Sequence, residues 1–265
     1  LRKYILILVL FISSSFIQNQ EDEINTLFAQ KKYQECANFL NNLSKENSYV
    51  HYNYTYKLAS CYSYLKKYDS AYISLKKIIN YFNSLDGLVS INNISIDYGS
   101  FKELTNTPYW HKITEQIKKK ATQDHFYNKD YAYFFDIQNS GNLVSNKLAY
   151  YKLEKDTLAI QKTVIEKEKI DSINIKKVIS YLEKKKNKNE TIDYNWSIIN
   201  YTLHQSASLE QKEKYLSLLY ENTVQKKLDA YAFAMFYMRF LEQKNGVKIK
   251  NYNAIKDSVV NSFNH

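Results

Sequence analysis

From Asp22 onward the chain is a succession of stretches in which apolar residues recur every three or four positions, separated by short polar interruptions. That is the pattern of amphipathic helices. Towards the C-terminus it is cleanest: Ile175, Val178, Ile179 and Leu182 keep the i, i+3, i+4, i+7 stripe of a helix predicted over 173–185, and Leu216, Leu219 and Tyr220 keep part of it in one predicted over 209–225. Helices are also expected over 194–205 and 229–244, with Ser208 and Gln211 in capping-box spacing and Asp229 placed to cap the last. Nearer the N-terminus the pattern predicts helices over 22–30, 34–44 and 49–65. Asn106-Thr107-Pro108 marks a helix start with proline in the first turn, and Lys118-Lys119-Lys120 suits its C-terminal end. The middle is less regular. Residues 131–137 read equally as a short buried helix or a strand, Gly141-Asn142 is expected to break the chain, and a helix rich in lysine and glutamate is expected over 143–169.

Within this helical pattern lies an internal repeat. Lys31-Lys32-Tyr33, Cys36, Leu40 and Leu43 recur as Lys66-Lys67-Tyr68, Ala71, Leu75 and Ile78 at a constant offset of 35 residues. Leu58-Ala59 and Tyr62 precede the second copy, a large-small pair and then an aromatic. These residues resemble the tetratricopeptide repeat, and the likeness implies two helical hairpins over 22–83, the start of an α-solenoid. The looser segment 88–117, with Gly99, Phe101, Leu104, Pro108, Tyr109 and Trp110, resembles the cap closing many bacterial arrays of this type, in which Phe101 and Trp110 would seal the core. In the repeat family the first helix of each pair lines a groove for a peptide or protein partner. The matching positions are Asn53, Tyr56, Ser60, Ser63 and Tyr64. An ordinary antiparallel bundle would show the same local period.

Composition narrows the classes. Four glycines and one proline in 265 residues are too few for the turns of a sandwich, barrel or propeller, and no two glycines lie close enough for a phosphate-binding loop. An all-α fold is expected, with no nucleotide cofactor. Five scattered histidines without metal-ligand spacing disfavour zinc, and neither a metal nor another cofactor is expected. The formal charge of +10 invites a nucleic-acid partner, but only Arg2 and Arg239 are arginine among the basic residues. Phosphate clamps and groove readers lean on the guanidinium fork, so nucleic acid is not expected.

Arg2 and Lys3 precede an apolar run from Tyr4 to Ile12, followed by Ser13-Ser14-Ser15 and the acidic cluster Glu21-Asp22-Glu23. This is the layout of a secretory signal peptide over 1–20, with an apolar stretch too short to span a bilayer. An uncleaved anchor or a buried first helix is the alternative. No cysteine stands near Ser15 to receive a lipid, so the expected product is periplasmic or secreted, without a transmembrane segment after cleavage. In an exported protein Cys36 and Cys61 invite pairing: they fall at similar distances from the Asn47-Ser48 turn of two antiparallel helices. The ordinary spacing of packed helix axes argues against a bridge, leaving either a disulfide or two buried thiols.

Residues 123–265 are expected to form a second helical domain after repeats and cap over 21–122. Asp171 with Asn174, Leu203-His204-Gln205, Gln211 ahead of Tyr215-Leu216, and Ala230-Tyr231-Ala232 leading to Arg239 and Gly246 resemble an uncharacterised bacterial helical domain of unknown function, over about 145–252. Met238 and Lys250-Asn251-Tyr252-Asn253 depart from that pattern. The expected role is non-enzymatic: an exported module that binds a protein or peptide in the bacterial cell envelope. The alternative is an envelope-acting hydrolase using His204 with Asp171 and Arg239. A lysine-rich surface for anionic lipid or polysaccharide is a third reading.

Overall fold

The computed structural model describes residues 20–46, 52–81, 92–123, 130–188, 196–249 and 252–263. Among them every regular element is a helix. The chain divides into two compact units, Leu1–Ala121 and Thr122–His265. Residues 1–19 of the expected leader and the Asn47-Ser48 turn lie outside the described residues. No helix among the described residues is long and apolar enough to cross a membrane.

Unit 1 is a stack of helical hairpins. Helix α1 (20–29) precedes α2 (Tyr33–Glu46); α3 (Tyr52–Tyr64) pairs with α4 (Tyr68–Tyr81); a single helical turn α5 (92–94) leads into α6 (Tyr98–Thr105) and α7 (Pro108–Gln123). The 35-residue repeat is a repeat of burial. Cys36, Leu40 and Leu43 on α2 are buried, and so are Ala71, Leu75 and Ile78 on α4. Residues without side-chain bulk at the first of these positions let consecutive helices approach, and the two larger ones fill the gap behind. Helix α3 packs against α2, α4 and α6. The 88–117 region ends in a further hairpin, in which Phe101 and Trp110 are both buried with ring centroids 5.8 Å apart. Asp97 caps α6 by accepting from the Ser100 N–H. Pro108 opens α7, where its missing N–H costs nothing.

The turns inside the hairpins share one construction. Lys31 and Lys66 sit at φ 59° and 57°, in the left-handed region. Around each, the residue after the lysine bonds back five positions, Lys32 to the Leu27 carbonyl and Lys67 to the Tyr62 carbonyl, both at 2.9 Å. The lysine itself bonds the carbonyl three before it. This Schellman arrangement is normally given to glycine. Lys155 and Lys226 repeat it at φ 56° and 57° in unit 2.

Unit 2 is built from α8 (Tyr131–Leu153), α9 (Thr157–Asn187), α10 (Trp196–Ser206), α11 (Leu209–Val224), α12 (Ala230–Asn245) and α13 (Tyr252–Asn261). One core joins them, centred on Phe134, Val178, Trp196, Ile199, Leu203, Leu219 and Phe236. The capping box of Ser208 and Gln211 is present, Asp229 caps α12, and α12 ends on Gly246 at φ 68°. Two expectations are corrected. Gly141-Asn142 does not break the chain: α8 runs through it, because a glycine's helix penalty of about 1 kcal/mol is outweighed by packing of Phe134, Ile137 and Val144. Nor does a helix end near Lys169; the interruption falls at Glu154-Lys155-Asp156, where Lys155 takes the left-handed turn and Asp156 accepts from the Ala159 N–H. The helices expected over 143–169 and 173–185 are therefore parts of α8 and one 31-residue α9. Leu158 and Ile165 on α9 are 61% and 67% exposed.

Candidate functional site

Of the five groove positions on α3, three form a ladder toward the start of α6. The Tyr56 hydroxyl donates to Asp97 Oδ2, the Ser60 hydroxyl to the Ser100 carbonyl at 3.0 Å, and the Tyr64 hydroxyl to the Gly99 carbonyl at 2.5 Å. Positions i, i+4 and i+8 share a helix face, so one stripe of hydroxyls fastens one helix to another. Burial, and then the Asp97 carboxylate, push the Tyr56 hydroxyl far above its ordinary value, keeping it a donor. Ser63 is buried, its hydroxyl without a hydrogen-bond partner. The stripe read as an open groove is thus largely consumed inside unit 1, and only Asn53 is exposed.

What remains open is the cleft between α1 and α3. It has a volume of about 320 Å³, with Glu21 and Asn25 contributed by α1 and Asn53, Tyr56 and Lys57 by α3, over Ile24. The Lys57 ammonium lies 4.3 Å above the Phe28 ring centroid, a cation–π contact that fixes a long side chain at the cleft. Tyr33 and Tyr64 stack at 4.4 Å beside Phe28. A carboxylate, an ammonium and two carboxamides in one cleft offer donors and acceptors to the backbone and ends of a polypeptide. Lys57, Asn25 and Glu21 were missed in the sequence because α1 is too short to display a periodic stripe, so the register of α1 against α3 was invisible.

Behind this cleft Cys36 and Cys61 are buried free thiols, in one apolar cluster with Ile24, Ala37, Leu40 and Leu58. The Cys36 thiol donates to the Ile24 carbonyl at 3.8 Å. Interaction with Cys61 holds the Cys36 thiol below its ordinary value, whereas interaction with Cys36 and burial push the Cys61 thiol well above.

In unit 2 the candidate residues fall in two surroundings. Asp171, Asn174 and Gln205 line a cleft of about 320 Å³ bounded by α8, α9 and α10. Asp171 pairs with Lys167, and buried Asn174 donates to the Ile137 carbonyl at 3.0 Å, tying α9 to α8. His204 has other surroundings. A ring hydrogen bond reaches the backbone of Met235, its Nδ1 is buried without a partner, and the charges acting on it come from Lys212, Arg239 and Glu242. Burial, then Lys212, hold its pKa below the usual histidine value. Arg239 is exposed and pairs with Glu242 at 3.6 Å. Asp171 is thus bonded to Lys167, whereas the charges that act most strongly on His204 are those of Lys212, Arg239 and Glu242.

Sequence reasoning also missed Lys212, which is 0% exposed. Its ammonium donates to the Ala207 carbonyl at 3.0 Å and to Gln243 Oε1 at 2.8 Å. Burial, then Arg239, bring its pKa down to about 8. The signal was present: Lys212 precedes Tyr215, Leu216 and Leu219 at positions i, i+3, i+4 and i+7, the core face of α11. No group of His, Cys, Asp and Glu suited to a metal ion occurs among the described residues.

The stacked hairpins of unit 1, with Cys36 and Ala71 buried at matching positions, form helical hairpins like those of tetratricopeptide repeats. Residues 20–135, a little under half of the chain, match the Iml2/Tetratricopeptide repeat protein 39 family. No curated protein and no solved structure matches the chain.

Proposed function

We propose that this chain is a protein-binding helical-repeat module of the bacterial cell envelope, carried out of the cytoplasm by the leader at 1–20 and holding a polypeptide at the α1–α3 cleft. The observation that carries the reading is the open cleft on the first helices of two successive hairpins, with Glu21, Asn25, Asn53 and Lys57 presented together. The match of residues 20–135 to a tetratricopeptide family supports it, since stacked hairpins of this kind build extended concave surfaces. The lysine-rich, arginine-poor surface acts as a solubilising coat, and no catalytic step is assigned.

The test is retention of envelope proteins on the immobilised chain, comparing the natural sequence with Asn53→Arg/Lys57→Glu and with Tyr64→Phe. Loss of the retained polypeptide in the cleft variant, at an unchanged melting temperature, is the expected result. Equal retention by all three contradicts the proposal. Export is tested separately, by whether removal of residues 1–20 leaves the protein in the cytoplasmic fraction.

A further inference from the structure

The cleft of unit 2 has a chemistry unlike that of the α1–α3 cleft. Its charged side chains, Lys167 and Asp171, are bonded to each other, so an ionic ligand finds no unbalanced counter-charge. Asn174 fastens α9 to α8 through the Ile137 carbonyl, while the Ser145 and Thr202 hydroxyls donate to carbonyls of their own helices, Gly141 at 2.8 Å and Ile198 at 2.9 Å. Those bonds consume the donors nearest the helices. They leave Asn142 on α8 and Tyr201 and Gln205 on α10, whose side chains make no hydrogen bond among the described residues. Each carboxamide presents two donors and an acceptor, and Tyr201, 47% exposed, adds a hydroxyl and an aromatic face.

We propose that this cleft, between α8, α9 and α10, binds a neutral polyhydroxylated ligand, a sugar unit held by Asn142 and Gln205 with its C–H face on Tyr201. Three features argue for this class. A sugar hydroxyl donates and accepts at once, as carboxamides and hydroxyls do, and needs no net charge. A half-exposed tyrosine gives an amphipathic ring the stacking surface it requires. A space of about 320 Å³ holds the volume of about ten waters, enough for one or two sugar rings. The proposal rests on unit 2 alone and is independent of partner binding by unit 1.

Isothermal titration of the full chain tests it, with lactose and methyl N-acetyl-β-glucosaminide as neutral probes, glucose 6-phosphate and glucosamine as charged ones, and acetyl-trialanine amide as the peptide. Binding of at least one neutral probe is expected. Tyr201→Ala and Asn142→Leu should each weaken it at least about tenfold, whereas Glu221→Gln on α11 should not. Tyr201 is exposed, so its variant reports on binding without disturbing the core. No neutral binding, tighter binding of the charged or peptide probes, or neutral binding indifferent to Tyr201 and Asn142 would each overturn the proposal.

Discussion

Lys31 and Lys66, 35 residues apart, occupy the same left-handed turn position with φ of 59° and 57°. A side chain there carries a steric cost of about 1 kcal/mol that glycine does not. Lys66→Gly is therefore expected to raise stability by about 0.5–1 kcal/mol, and Lys66→Val to lower it by at least as much. Thermal unfolding of both variants, with Lys67→Gly as the control at the next position, checks the sign.

The α3–α6 ladder gives a graded prediction. Tyr64→Phe removes a bond to a neutral carbonyl and should cost about 1 kcal/mol; Tyr56→Phe removes one to a carboxylate and should cost about 1.5–3 kcal/mol. Urea unfolding should place the midpoints in that order. Equal midpoints for both variants and the natural chain would mean that the stripe faces solvent.

Buried Lys212 makes stability depend on pH in a direction opposite to that of most lysines. Its pKa is lowered in the folded state to about 8 from an ordinary 10.5. Between those values the unfolded chain binds the extra proton, so stability rises with pH across that window, and the penalty is fully present below pH 8. Lys212→Met should flatten the rise between pH 8 and 10, whose full size is about 3 kcal/mol. His204 adds a second window. Its lowered pKa means that stability falls as pH drops below about 6.5, and His204→Gln should remove that fall.

The thiols at 36 and 61 are both 0% exposed, so alkylation of the reduced chain should be slow when folded and rapid in denaturant. Cys36, the thiol with the lowered pKa, should react first as pH rises. Mass spectrometry of the labelled peptides reads both. Prompt labelling of both cysteines in the folded chain would contradict the packing of α1 on α2 and α3.

The fold was legible where packing and local chemistry agree. The 35-residue offset, the Ser208–Gln211 box and the Asp229 cap each follow from neighbours in sequence, and each is present. The middle misled because Gly141 is a poor helix former held helical by tertiary packing, while Lys155 stands at a sharp turn that glycine usually marks. Few glycines did indicate a helical protein, but lysines took over their turn positions. The sites were less legible. Periodicity identifies which face of α3 is special, yet whether α6 covers it depends on contacts 35 to 41 residues away. Asp171 and Gln205 do line one cleft, whereas His204, next to Gln205, projects from α10 toward a different neighbour because adjacent helical residues point about 100° apart.

The most direct test of partner binding is site-specific photocrosslinking in cells, with a photoreactive amino acid placed in turn at Asn53, at Asn25 and at exposed Lys162 on α9. The account predicts one discrete crosslinked polypeptide from Asn53 and Asn25 and none from Lys162. Crosslinks absent from both cleft positions, or equally strong from all three, would contradict it.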